Sequence, residues 1–120
     1  SWTGGYLSDG GTWTNSSDRN AKTDVARIDP QVVLAKVAAL PIATWRYKTE
    51  TGQTHLGPMA QDFSAAFGLG ADDKHIATID ADGVALAAIQ GLHARNAKLE
   101  AQVEALTARL ADLEARTVMH

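Results

Sequence analysis

The chain has 120 residues, of which 45% are hydrophobic, and a formal net charge of −3 at pH 7. This composition fits one folded domain with a modest core rather than a disordered chain, and the acidic balance argues against a nucleic-acid-binding surface, which needs clustered Lys and Arg. Because there is no cysteine, disulfides, thiol catalysis and cysteine-based zinc sites are excluded, and no apolar run approaches the roughly 20 residues that cross a bilayer.

Residues 1–16 are rich in Gly, Ser and Thr and contain the aromatic residues Trp2, Tyr6 and Trp13. Such a segment builds no core of its own but can lie as extended strands against a neighbour. We interpret it as the end of an upstream β-rich stem, and since the chain opens on Ser1, we expect an excised part of a longer protein. Trp2 and Trp13 also allow a sugar-stacking platform, although packing within a stem is the better interpretation.

The polar run "NSSDRNAKTDV" follows, and it places a lysine, Lys22, five positions after Ser17. A serine hydroxyl is a weak nucleophile until a base removes its proton, and a lysine serves as that base only when its pKa falls from about 10.4 toward 7 or 8. Five extended residues would hold the two side chains apart, whereas a turn, which Asp18 and Asn20 favour, would bring them together. From spacing alone, a solvated polar loop is the better interpretation.

The middle of the chain predicts two short helices around a β-hairpin. Asp29 and Pro30 are typical of a helix start, and Pro41 ends that helix. The stretches "ATWRYKT" and "THLGPMA", separated by "ETGQ", predict the hairpin. "AQDFSAAFG" predicts a helix capped by Gly68. "KHIATID" then predicts a short strand, and "DADG" a turn into the final helix.

The final helix carries a strict repeat of 3.5 residues, which is typical of a coiled-coil seam. Leucine fills each d position of this repeat from 92 to 113, and Arg95 with Glu100 and Arg109 with Glu114 form g-to-e pairs that bias helix orientation. A lone amphipathic helix folded back on its own domain is the alternative, and the heptads permit two or three strands. The predicted seam consists of Ile89, Leu92, Asn96, Leu99, Val103, Leu106, Leu110 and Leu113.

Other residues give weaker signals. The histidines show no spacing that is typical of metal ligands, so we expect no metal site, and the "GLG" at 68–70 lacks the rest of a phosphate-binding loop. His55 is expected to be structural, at a strand end. We expect no cofactor, no nucleic-acid partner and no membrane partner.

The ordered set "SSDRNAKTDV", "LPIATWRYK", "HLGPMAQDF" and "IDADGVALAAIQGL", followed by a coiled coil, resembles the peptidase S74 family. This family comprises the intramolecular chaperone domains at the C-termini of endosialidases and phage tail spikes and fibres, and similar domains occur in a eukaryotic membrane-tethered transcription factor family. The resemblance implies a catalytic dyad of Ser17 and Lys22, a supporting Asp18, and a cut between Ser16 and Ser17. It further implies a homotrimer attached to an upstream fibre or tail-spike domain.

The sequence thus predicts an α+β fold, a small mixed globular domain with a β-hairpin and short helices that ends in a long helix forming a homotrimeric coiled coil. We expect a stem segment at 1–16, a chaperone domain at 17–83 and a coiled-coil helix at 84–120. The expected setting is a phage or prophage tail component, assembled in the bacterial cytoplasm, whose cleaved domain is released.

Two functions fit these features. The first is a self-cleaving trimerisation chaperone, and the second is a structural trimerisation cap without proteolysis. A carbohydrate-binding fibre tip is a weaker third possibility. The sequence leaves open whether cleavage would act within one chain or between chains, and which groups would form the oxyanion hole.

Overall fold

The computed structural model describes residues 4–119, which form an elongated α+β structure. The prediction for Trp2 lies outside the described residues. A 3-10 turn, Arg19–Ala21, follows the first two strands. The elements in chain order are β1 Tyr6–Leu7, β2 Trp13–Thr14, α1 Pro30–Ala39, β3 Ala43–Trp45, β4 His55–Gly57, α2 Ala60–Phe67 and α3 Thr78–Val118.

Two small antiparallel hairpins make up the β structure of the described residues. In the first, Tyr6 pairs with Thr14, so part of the predicted stem segment folds back on itself. In the second, β3 pairs with β4 and Trp45 lies opposite His55. The predicted central hairpin is therefore confirmed, with strands of three residues each.

The two short helices begin and end where the sequence predicts. The Asp29 side chain accepts a hydrogen bond from the Gln31 backbone N–H at 2.9 Å, and Pro30 occupies the first turn, where its missing N–H costs nothing. Helix α1 ends before Pro41. Helix α2 ends at Gly68, whose left-handed backbone (φ 62°) suits glycine.

The long helix α3 begins earlier than the sequence predicts. The expected strand "KHIATID" and the turn "DADG" are wrong, because Thr78 already opens a helix that continues for 41 residues. The carboxylate of Asp80 lies in its first turn, where the exposed N–H groups favour negative charge. Within residues 4–119, both sheets have only two strands, and neither pairs with the 74–80 segment.

Helix α1 packs against the first part of α3. The closest approach is at Gly91, where an added Cβ would lie 2.4 Å from the Pro30 carbonyl oxygen. The Gln31 side chain reinforces the contact, since its Nε2 donates to the Gly91 carbonyl at 2.6 Å. Gly91 therefore sets how closely the two helices approach.

The core of the described chain is small. Phe63 and Ala88 are the buried hydrophobic residues, 4% and 7% exposed, and Phe63 stacks near Phe67 with the ring centroids 5.0 Å apart. Beyond Gly91, every described residue of α3 is exposed. None of the helices within 4–119 combines the length and the apolar content that crossing a bilayer requires.

Candidate functional site

The 3-10 turn at Arg19–Ala21 organises the candidate site. The Asp18 carboxylate accepts a hydrogen bond from the Asn20 backbone N–H at 2.9 Å and a second from the Asn20 side-chain amide at 3.3 Å. The Ala21 N–H donates to the Asp18 carbonyl, and the Lys22 N–H to the Arg19 carbonyl. The bend that Asp18 and Asn20 favour in the sequence is thus present, because a local side-chain cap stabilises it.

The turn brings Ser17 and Lys22 into direct contact. The Lys22 Nζ donates a hydrogen bond to the Ser17 Oγ at 2.7 Å. A neutral lysine at this distance could equally accept the hydroxyl proton, which is the step that activates a serine nucleophile. The two residues have the spacing of a dyad, and the assignment of catalytic roles to them remains a prediction.

A shallow cleft of about 300 Å³ lies beside this pair. Its walls include Gly5 and Trp13 of the first hairpin, Ser16 and Lys22, and also Ile79 from the first turn of α3. A Cβ added at Gly4 would lie 3.6 Å from the Ser16 Cβ, so the backbone at Gly4 passes close to the bond between Ser16 and Ser17. The first hairpin and α3 thus frame the peptide bond that the family resemblance marks for cleavage.

Two requirements of serine catalysis bear on this cleft. Ser17 and Lys22 are both exposed in the single chain, whereas a lysine base needs removal from water. The backbone N–H groups of Asn20, Ala21 and Lys22 are already engaged in the turn, so they are not free to form an oxyanion hole. Other parts of the chain or of a neighbouring chain would have to shield Lys22 from water and to provide the N–H donors of an oxyanion hole.

The predicted seam lies apart from the dyad, along α3. Its hydrophobic members are exposed in the single chain, and Asn96 among them is exposed as well. Helix α1 instead covers a different side of α3, where Ala88 and Gly91 are buried. At about 100° per residue, Gly91 points some 120° or more away from the centre of the seam. The body of the chain therefore leaves the seam uncovered.

The histidines make local contacts outside the dyad. His55 opens β4, its ring lies 5.0 Å from that of Trp45, and its Nε2 is 3.2 Å from the Glu50 Oε1, so the position at a strand end is as predicted. In a second pair, hydrogen bonds to the Asp72 carboxylate from the Lys74 backbone N–H and from His75 lower the pKa of Asp72. In the described part of the chain, no three metal-ligating side chains come together.

Sequence reasoning missed Ile79 as a wall of the cleft. It lies 57 positions after Lys22, and the sequence assigned it to a strand. No local pattern signals a contact between segments so far apart. The acid–histidine pairs were missed as well, although the i,i+3 spacing of Asp72 and His75 was a readable signal.

Comparison with known families adds to this geometry. Residues 17–68 match the family model Peptidase_S74, which is described as a chaperone of endosialidase. The match begins at Ser17, the residue that follows the expected cut, and runs through α2 to Gly68. No curated protein and no solved structure matches the chain significantly. The family resemblance is thus confirmed over residues 17–68, the part of the chain that matches the chaperone of endosialidase.

Proposed function

We propose that this chain is a C-terminal intramolecular chaperone that trimerises an upstream fibre or tail-spike protein and then releases itself by cleavage between Ser16 and Ser17. The observation that carries the proposal is the 2.7 Å hydrogen bond between Lys22 and Ser17, at the point where the family match begins. Its setting is a phage or prophage tail component assembled in the bacterial cytoplasm.

The proposed chemistry uses one serine and one lysine. Neutral Lys22 takes the hydroxyl proton while Ser17 Oγ bonds to the carbonyl carbon of Ser16. The C–N bond between Ser16 and Ser17 then breaks, the proton passes to the departing amine, and water hydrolyses the resulting ester. The same bonds form and break whether Ser17 attacks the carbonyl in its own chain or the one in a neighbouring chain. Asp18 supports the step by holding the turn that keeps the pair together.

Assembly is proposed to come from α3. Exposed apolar side chains at every third or fourth position form a stripe that a single chain leaves in contact with water. Joining three such helices buries the stripe and raises the effective concentration of the upstream strands, whose non-local contacts otherwise form slowly. Once the chaperone leaves, the fibre has lost its template, so it gains kinetic stability.

Incubation of the purified full chain tests the protease. We expect two fragments, residues 1–16 and 17–120, by denaturing electrophoresis and intact mass spectrometry. Ser17→Ala and Lys22→Ala should each leave the chain whole, because nucleophile and base act as one unit. Ser64→Ala and Lys48→Ala are matched controls outside the cleft and should cleave normally.

The second candidate is a structural trimerisation cap without proteolysis. The exposure of Ser17 and Lys22 in the single chain favours it, since a solvated lysine is a poor base. A wild-type chain that remains trimeric and uncut after prolonged incubation would establish this candidate and remove the protease.

A further inference from the structure

One flank of α3 carries exposed apolar residues outside the seam. Ile79 and Leu86 lie seven residues apart, two helical turns, and are 42% and 64% exposed. Counting back from Ile89 at an a position, both residues occupy e positions of the heptad register, in the part of α3 that precedes the seam. We call this pair the e flank. Helix α1 covers other positions of α3 and leaves Leu86 open.

The charges along α3 indicate how neighbouring copies align. Arg95 and Arg109 occupy g positions, and Glu100 and Glu114 occupy the e positions five residues further on. In a parallel coiled coil, a g residue of one helix faces the e residue five positions later in its neighbour, so both pairs join opposite charges across the interface. A parallel arrangement therefore places the e flank of each chain beside the g positions of the next.

The same offset assigns a counterpart to Leu86. Five residues earlier lies Ala81, a g position, and the next g position is Ala88, which is 7% exposed. The burial of Ala88 and of the nearby Gly91 shows that α1 stands close to this side of α3. Alanine at both g positions presents only a methyl group on this side of α3, and Ala81 is less buried than Ala88.

We propose that Leu86 of each chain docks on the neighbouring copy of this chain, against Ala81 and in the angle between α1 and α3. The proposal rests on the trimerisation put forward above. We choose a second copy of this chain as the partner for two reasons. The g-to-e pairs along α3 join opposite charges between copies, and the e flank lies on the same helix as the seam. The contact fixes the globular part of one chain against that of the next.

Docking at the e flank also reaches the dyad. Ile79, two turns before Leu86 on the same flank, is a wall of the cleft that holds Ser16 and Lys22. We infer that a neighbour docked at Leu86 also covers Ile79, about 10 Å away along the same flank, and with it the open side of the cleft. This removes Lys22 from water, which the single chain does not do.

Cross-linking tests the contact directly, because the natural chain has no cysteine. Tagged Ala81→Cys chains and untagged Leu86→Cys chains, each also carrying Ser17→Ala to prevent cleavage, are refolded together and treated with a short bis-maleimide. We expect a band that joins one tagged to one untagged chain. Replacing the untagged partner by Leu56→Cys, an exposed residue of β4, should reduce that band at least tenfold.

The outcomes separate this inference from the proposed function. One outcome is a trimer by native mass spectrometry while the cross-linked sample gives no mixed band above the Leu56→Cys level. That result overturns the docking at Leu86 and leaves trimerisation intact. A monomer overturns both. As a second readout, Leu86→Ser in the cleaving chain should keep the trimer mass and slow cleavage at least tenfold, while Leu56→Ser should cleave normally. Unchanged cleavage in a trimeric Leu86→Ser chain contradicts the shielding of the cleft.

Discussion

The Asp18 side chain organises the turn that contains the candidate site. Its carboxylate accepts both hydrogen bonds from Asn20 and so closes the turn that sets Lys22 against Ser17. Both interactions are short-range and exposed, so the turn is only modestly stable. The fraction of time that the serine and lysine spend together should therefore follow the strength of this cap.

Substitution at Asp18 tests that dependence. Asp18→Ala removes the cap, which costs about 1 kcal/mol and corresponds to roughly a fivefold loss of the closed turn. We expect cleavage to slow about that much without stopping. Asp18→Asn retains an oxygen acceptor and should cleave within about twofold of the natural chain. Time courses by intact mass measure both, and complete loss of cleavage in Asp18→Asn would mean that the negative charge itself is required.

The residues of the site differ in how far the sequence could predict them. The approach of Ser17 and Lys22 depends on a turn of six residues, whose formation Asp18 and Asn20 encode locally. Ile79 reaches the same cleft from the first turn of α3, 57 residues further along the chain than Lys22, and nothing within a few residues of it indicates that contact. Contacts within a turn are therefore readable from sequence, whereas contacts between distant segments are not.

Among the elements, the crossing of α1 and α3 depends on one glycine. The Gly91 backbone lies so close to the Pro30 carbonyl that no side chain fits between them. Gly83, in the same helix, has open space where its Cβ would be. Gly91 and Gly83 can therefore be compared as test site and control, because packing constrains Gly91 and leaves Gly83 free.

Alanine at these two positions should shift stability in opposite directions. Gly91→Ala forces α1 away from α3, and overpacking of this kind costs about 1–3 kcal/mol of the free energy of unfolding. Gly83→Ala should raise it by about 1 kcal/mol, since alanine is the better helix former. Urea denaturation at one fixed protein concentration compares them. A Gly91→Ala chain as stable as the natural one would show that the close crossing does not form.

At the element level, capped helices were the most predictable features. Asp29–Pro30 and Gly68 mark helix ends through their own backbone chemistry, and the structure places the ends there. The start of α3 was predicted wrongly because "KHIATID" alternates like a strand. Alternation alone does not make a strand, because a strand also needs a partner, and this segment pairs with neither of the described sheets.

The whole molecule is far from a compact monomer. Its radius of gyration is 22.1 Å, whereas a compact chain of this length has about 14 Å. Its accessible surface is 10148 Å², against roughly 6200 Å² for a folded monomer of this mass. A chain with so much excess surface and so small a core is expected to reach full stability only in association with others.

A charge in the seam tests this dependence. Leu106→Asp buries a carboxylate at a d position if the trimer forms, which costs on the order of several kcal/mol per assembly. We expect monomers by light scattering at micromolar concentration and little cleavage. Leu56→Asp, which places the same charge on an exposed residue of β4, should remain trimeric. If Leu106→Asp is still a trimer, the interface does not lie at the leucine repeat.

Helix α3 is continuous for 41 residues, a rod of about 60 Å that starts beside the dyad and runs on through the leucine repeat. Three chains that slip by one heptad are displaced along the axis by about 10 Å, and an unbroken rod transmits that displacement in full to Ile79. A misaligned assembly would then hold its cleft uncovered and keep its peptide bond. Under the proposed function, the cut would then act as a quality check, a step that distinguishes correctly aligned fibres from faulty ones before the chaperone departs.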